Sequence, residues 1–198
     1  MLSIIIFLLF IYVILVYYLL FLFLVSKKLL AGRKKILHTV FPELKSKIAF
    51  NQRKKEMSCY LKSVEPKNVK FEKFIFTMRV LIYLLILLLI INFMPILASG
   101  DFAYSSRVVT LFCKTFIYIG IAFLLVAAMT YTSIQINQKN DLLLGVYLKE
   151  HPSNELKLLP YSKDFAAKYY TLQLKISRFS FFTGILQILS SLLILFLH

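Results

Sequence analysis

At 198 residues, 60% of them apolar, with a mean hydropathy of +0.78, this chain has too little polar surface to clothe a water-soluble globule. Soluble domains are only about 45–50% apolar. Its formal charge of +15 lies almost entirely between and beside four long apolar stretches, a pattern that excludes a soluble domain and points to a polytopic membrane protein.

The first stretch, Leu2 to Val25, runs 24 residues without a charge. That exceeds the ~20 needed to cross a hydrocarbon core about 30 Å thick. A buried helix of a soluble fold rarely stays apolar on every face for so long. A cleaved signal peptide would carry a basic leader, a shorter apolar core and a small-residue cleavage site. Met1-Leu2-Ser3 has no base and Val25-Ser26-Lys27-Lys28 offers no such site, so the stretch reads as a retained first helix. Tyr12, Tyr17 and Tyr18 sit near its middle. Tyrosines belong at membrane interfaces, so their hydroxyls are expected to contact other helices.

Ser26 to Val40 holds no helix breaker and should carry the helix on into water, exposing Lys27, Lys28, Arg33, Lys34 and Lys35. Pro42 followed by Glu43 suits a new helix start, proline fitting the first turn and the acid complementing the positive helix end. Leu44 and Ile48 give that helix an apolar edge, Arg53, Lys54 and Lys55 form a basic cluster, and Glu65 to Lys70 reads as a turn.

The second span is Phe76 to Leu97. Arg79 lies about one turn inside its edge, where the stem can snorkel to the headgroups. Near the far end, Pro95 should kink or end the helix before the turn Ala98-Ser99-Gly100-Asp101, and Asn92 is assigned to packing against a neighbouring helix. The third span is Val108 to Ile134. Lys114 falls seven residues after Arg107, about 10 Å along a helix axis, so the hydrocarbon part is placed from Thr115 onward with Lys114 as an anchor. Asn140-Asp141 should cap a segment from Leu142 to Lys149, which Pro152 ends. Asp164 is the expected N-cap of a long helix running through Lys168, Lys175 and Arg178 into the fourth span, Phe179 to Leu197.

Ser177, Ser180, Gly184, Gln187 and Ser191 follow one another at spacings of 3, 4, 3 and 4, a single narrow seam on a helix. Cys113, Gly120 and Ala127 recur every seven residues in the third span, with Ala128 and Thr132 alongside. Small residues let membrane helices approach closely, and Ser or Gln can hydrogen-bond across the contact. The two seams are complementary, so the third and fourth helices should pack together. The alternative is that Gln187 and the serines line a narrow aqueous path in an oligomer. No charged residue joins them, which argues against a selective ion pathway.

Charge orients the chain. Residues 26–79 hold 15 Lys and Arg against four acids, and residues 135–178 hold seven bases against four acids. Bases are retained on the cytoplasmic side, so both basic segments should face the cytoplasm, with the N-terminus, the 98–107 hairpin and His198 outside. The basic clusters admit three readings: topology control with attraction to anionic lipid headgroups, each base contributing about 1 kcal/mol; docking of an acidic protein partner; or nucleic acid, which is disfavoured because no recognised binding motif interleaves the bases. Tyr60-Leu61-Lys62 and Tyr147-Leu148-Lys149 are alike, at an offset of 87, though so short a match does not establish a repeat.

Catalytic chemistry is thin. His38, His151 and His198 are far apart, and none belongs to a ligand spacing. Cys59 and Cys113 fall on opposite sides of the membrane, and the spans contain no Asp or Glu. No nucleophile elbow, phosphate loop or zinc-binding helix motif appears. The expectation is therefore a non-enzyme without cofactor or metal. The residues, rich in Leu, Ile, Phe, Tyr and Lys, suit an AT-rich genome, that of a low-GC bacterium, a mobile genetic element or an organelle, and the expected location is a bacterial or organellar inner membrane.

The sequence thus predicts an all-α fold: one integral membrane four-helix bundle over 1–198, with spans at about 2–25, 76–97, 108–134 and 179–197. Helical basic cytoplasmic segments, 26–75 and 135–178, would form a small cap. The expected role is an accessory, structural or regulatory component of a membrane assembly, as a homo-oligomer or a subunit of a larger complex. The alternatives are a homo-oligomeric pore or membrane-disrupting effector in a defence or toxin system, or an immunity-type inhibitor.

Overall fold

The computed structural model describes residues 2–99 and 106–197, and the calls for an outer turn at Gly100-Asp101 and an outer His198 lie outside them. Five α-helices and no strand occur among the described residues. They are α1 (Leu2–Val40), α2 (Lys47–Val64), α3 (Lys67–Ser99), α4 (Ser106–Glu150) and α5 (Lys163–Leu197). All but α2 are long and apolar enough to cross a membrane; this is an all-α, multi-pass membrane protein. With 39 and 45 residues, α1 and α4 extend ~58 and ~68 Å, about twice the hydrocarbon thickness. Their second halves therefore stand clear of the apolar stretch and build a separate basic end with α2 and the start of α5.

Several helix boundaries differ from the sequence expectation, each for a local reason. Pro42 opens only a 3-10 turn, Pro42–Lys45, and the cap of α2 is Ser46, whose Oγ accepts from the Ala49 amide at 3.1 Å. The expected turn at 65–70 shrinks to Glu65 and Pro66. Pro66 cannot supply the amide that another turn of α2 would need. Asn140 and Asp141 do not begin a helix, because α4 runs through them unbroken. Their side chains act sideways instead: Asn140 Oδ1 accepts from Asn68 Nδ2 at 3.0 Å, and Asp141 accepts from the Tyr170 hydroxyl. The cap of α5 is Ser162, whose Oγ accepts from the Phe165 amide at 3.2 Å. Asp164 falls inside the first turn, where its charge still suits the positive helix end. At the far end of α3 the helix passes Pro95 and continues to Ser99.

The helices stand in a row, α1 against α5, α5 against α4 and α4 against α3, with the 3-10 turn and α2 closing over the basic end. The α4–α5 contact is by far the most extensive. It is antiparallel, and its register is set by two heptad steps. Gly120 faces Gly184, while seven residues along one helix and seven back along the other Ser177 Oγ donates to the Ala127 carbonyl at 2.9 Å. A Cβ on Gly120 would lie 2.7 Å from Ile188 Cγ1 and 2.9 Å from the Gly184 carbonyl oxygen; one on Gly184 would lie 2.7 Å from the Gly120 carbonyl oxygen. Only two glycines permit that approach.

On the other side of α5, Tyr12 of α1 donates to the Leu186 carbonyl at 3.2 Å, bonds Ser190 Oγ and packs its ring 5.3 Å from Phe116 of α4. Tyr18 packs against Phe179 at 4.6 Å, and Gln173 Nε2 donates to Ser26 Oγ at 2.7 Å. Tyr17 departs from its expectation: it is 73% exposed. Five residues from Tyr12 is about 140° around the helix, away from the contact line. Asn92 departs too, bonding its own helix at the Leu88 carbonyl, 2.9 Å away.

Replacing Gly184 by Ala is expected to force α4 and α5 apart and to cost about 1–3 kcal/mol, measured as unfolding in detergent. Gly32→Ala provides the contrast, since Gly32 lies mid-helix with nothing within 4 Å of an added Cβ. It should gain about 0.5–1 kcal/mol.

Candidate functional site

Two regions gather chemistry-bearing side chains: the α4–α5 seam and the basic end. Within the seam, Ser177, Ser180, Gly184, Gln187, Ser191, Gly120 and Ala127 are all buried and brought together between the two helices. Ser191 Oγ donates back to the Gln187 carbonyl at 2.7 Å, the usual way a serine satisfies itself on a membrane helix. Ser180 Oγ, Thr183 Oγ1, Gln187 Oε1 and Thr115 Oγ1 are buried without a hydrogen-bond partner. At the Gly120–Gly184 crossing the backbones touch, leaving no passage between these two helices.

The basic end is built around the connection 151–162. Asn154 and Lys157 both take positive φ, 47° and 49°. Asn tolerates that conformation well, and Asn154 uses its side chain to hold Leu158, accepting from its amide at 2.8 Å and donating to its carbonyl at 3.0 Å. Two arginines then hold four more of the segment's carbonyls. Arg53 Nε donates to Leu156 O and Lys157 O, both at 3.1 Å, while Arg33 donates to Leu159 O and, at 3.4 Å, to Pro160 O. The Arg33 guanidinium also stacks 3.9 Å from the centre of the Tyr161 ring and 5.2 Å from that of Phe165. Only the planar, many-donor guanidinium can do both at once.

Burial lowers the pKa of Arg33, opposed by Tyr161 and Asp141. Burial lowers that of Arg53 as well, helped by the positive charge of Arg33. Asp141 is raised chiefly by burial, against the lowering effects of the Tyr170 hydroxyl and Arg33. Tyr170 is raised by burial and by its bond to Asp141. An aromatic group of Tyr161, Phe165, Tyr169 and Tyr170 surrounds this pair of opposite charges.

Sequence reasoning missed this cluster. Its one local signal was the spacing of Phe165 and Tyr169, four apart on one helix face. Arg33 and Arg53 are accordingly corrected: both are half-buried and turned to the 151–162 segment rather than to lipid or a partner. Lys34 is exposed with its ammonium 4.9 Å from the centre of the Phe50 ring. Lys27, Lys28, Lys35, Lys54 and Lys55 remain exposed. The two Tyr-Leu-Lys motifs meet, with the Tyr60 and Tyr147 rings edge-on at 4.8 Å and Tyr147 stacked on His151 at 4.3 Å.

A hollow of about 410 Å³ lies beside α2 and includes Lys54, Lys55 and Ser58 in its wall, with Lys62 paired to Glu72 at 2.8 Å. No group of three His, Cys, Asp or Glu side chains able to hold a metal occurs among the described residues. Neither a protein-family profile, nor a curated protein, nor a solved structure matches the chain.

Arg33→Lys keeps the charge but loses the fork and the ring stacking. Trypsin cleavage after Lys157 in the folded protein is expected to become about tenfold faster, the consequence of removing hydrogen bonds to a half-exposed charged donor. A second expectation concerns pH. Because burial raises the Asp141 pKa in the fold, the folded state binds more protons than the unfolded one over the interval between the two pKa values. Stability therefore falls as pH rises from the ordinary carboxylate range through the folded value. Asp141→Asn, which can still accept from Tyr170, should raise the melting temperature at pH 7.5 and lose that advantage near pH 4, read by thermal unfolding across the series.

Proposed function

We propose that this chain is a non-enzymatic component of a membrane assembly, acting as a structural or regulatory subunit with its basic end in the cytoplasm. What carries this reading is the use of the polar side chains. Ser177, Ser180, Thr183, Gln187 and Ser191 are all enclosed where α5 meets its neighbours, leaving the membrane-facing surface mostly to hydrocarbon and aromatic side chains. Such a surface can take lipid or another transmembrane helix but offers a substrate little polar foothold.

The most available face belongs to α3, none of whose most apolar 18-residue window is buried. Tyr83, Leu87 and Ile91, among others on this helix, point outward. In an assembly this is where a second subunit would lie, as another copy or a different protein. The orientation rests on the excess of bases, 15 over four and seven over four, in the two segments at the basic end.

The pore reading draws on the four buried oxygens without partners, Thr115 Oγ1, Ser180 Oγ, Thr183 Oγ1 and Gln187 Oε1. Their enclosure within one subunit favours packing. Gln187→Leu separates the two readings. A packing role predicts that the variant folds at least as stably, since it removes a buried amide oxygen with no partner, and that vesicles containing either form do not leak potassium. A pore predicts a leak in the natural protein that the variant abolishes. Native purification in mild detergent with mass measurement should return stoichiometric companions, either copies of the chain or foreign subunits. A lone monomer throughout would defeat the assembly reading.

A further inference from the structure

A groove of about 490 Å³ lies open between α1 and α5 where the apolar stretches give way to the basic end. Its apolar wall is Val25 and Leu29 from α1 and Ala167 and Leu172 from α5, with the Thr171 hydroxyl among them. Two ammonium groups border it, Lys168 and Lys175. They are seven residues apart on α5, hence on one face and about 10 Å from each other along the axis.

Depth decides what such a groove can meet. Val25 is the last residue of the first apolar stretch, and Lys175 stands three residues before Arg178, which adjoins the fourth. The Gln173–Ser26 hydrogen bond sets α5 level with the end of the first stretch, so Lys175 lies at the edge of the hydrocarbon and Lys168 about 10 Å further out, where its long side chain borders a headgroup layer of about 5–8 Å per leaflet. Its apolar wall thus opens toward acyl chains while its charged border sits among phosphates. Both lysines are exposed, and neither forms an ion pair among the described residues. Asp164, one turn before Lys168, is not within pairing distance of it. Lys27 and Lys28, exposed beside Leu29, add positive charge at the same level. The groove stays in place because α1 and α5 are fastened at its own level by the Gln173–Ser26 hydrogen bond and further out by the stacking of Arg33 on Phe165.

We propose that this groove seats one anionic glycerophospholipid, its phosphate between Lys168 and Lys175 and an acyl chain leading past Val25 into the hydrocarbon. Lysine binds phosphate as a compact point charge, and basic hollows between membrane helices are suited to anionic headgroups. The bound lipid would fill this notch between α1 and α5 and tie the basic end to the leaflet. The inference rests on the proposed placement of that end at the cytoplasmic headgroups.

The test is native mass spectrometry of the full chain in mild detergent, titrated with phosphatidylglycerol or phosphatidylcholine. One phosphatidylglycerol per chain should be retained, at least tenfold more tightly than phosphatidylcholine, and millimolar inorganic phosphate should not displace it. Lys168→Gln with Lys175→Gln should weaken retention about thirtyfold, the loss expected for two bases at a membrane surface. Lys54→Gln with Lys55→Gln, on α2, should leave it unchanged. Ala167→Phe, which fills the groove and keeps both charges, should also release the lipid. Equal retention of the two lipids, displacement by phosphate, or full retention by the Lys168 and Lys175 double variant would overturn the proposal. The orientation is decided separately by labelling engineered cysteines in intact cells: reagent reaching position 55 or 149 from outside, while sparing 103, would reverse the topology and leave the lipid measurement standing.

Discussion

Hydrocarbon gives two helices no hydrophobic reason to adhere, because lipid tails are as apolar as leucine. Association has to come from close backbone approach and from polar groups that find partners in one another. In this protein both are concentrated on one line, where Gly120 meets Gly184 and Ser177 reaches the Ala127 carbonyl. The other spans hang from that pair: α1 is fastened to α5 through Tyr12, Tyr18 and Ser26, and α3 lies along α4. Without the α4–α5 contact there would be four apolar rods and no surface to order them.

Beyond the apolar stretches the governing physics changes. Water returns, and with it the drive to bury Leu37, Leu44, Leu61 and Leu158, which form small apolar contacts among α1, the 3-10 turn, α2 and the 151–162 connection. That core is too small to hold a strained connection by itself. The backbone of 151–162 is instead held by side chains: Asn154 from within, Arg33 and Arg53 from α1 and α2. The carboxylate of Asp141 and the tyrosines around it balance part of the positive charge this brings inside.

This division bears on how the positive charge is used. Of the 24 Lys and Arg, only a few are taken up inside the fold. Two arginines are structural, and Lys62, Lys139 and Lys157 are paired with Glu72, Glu65 and Glu43. Many others face outward, among them Lys27, Lys28, Lys168 and Lys175 close to the ends of the apolar stretches. There they can serve both as anchors in the headgroup layer and as a charged rim for whatever binds.

What the amino-acid sequence determined by itself was everything that depends on local composition: four spans, their approximate limits, an uninterrupted first helix, and the small-residue pattern that the α4–α5 contact displays. These are legible because a membrane span must satisfy its backbone internally and be apolar over a fixed length, and because close approach demands small side chains at helical spacing. The tertiary structure alone decided which polar residue serves which neighbour. Asn140 and Asp141 carry the same turn-forming chemistry whether they cap a helix or reach sideways, and only the presence of Asn68 and Tyr170 beside them selects the second. Arg33 and Arg53 resemble their lysine neighbours in a charge count, yet a fork of donors finds carbonyls more than 100 residues away in sequence, a pairing that no local pattern encodes. Tyr17 and Tyr18 are adjacent in the chain, and the position of α5 lays one ring against Phe179 and leaves the other more fully to lipid.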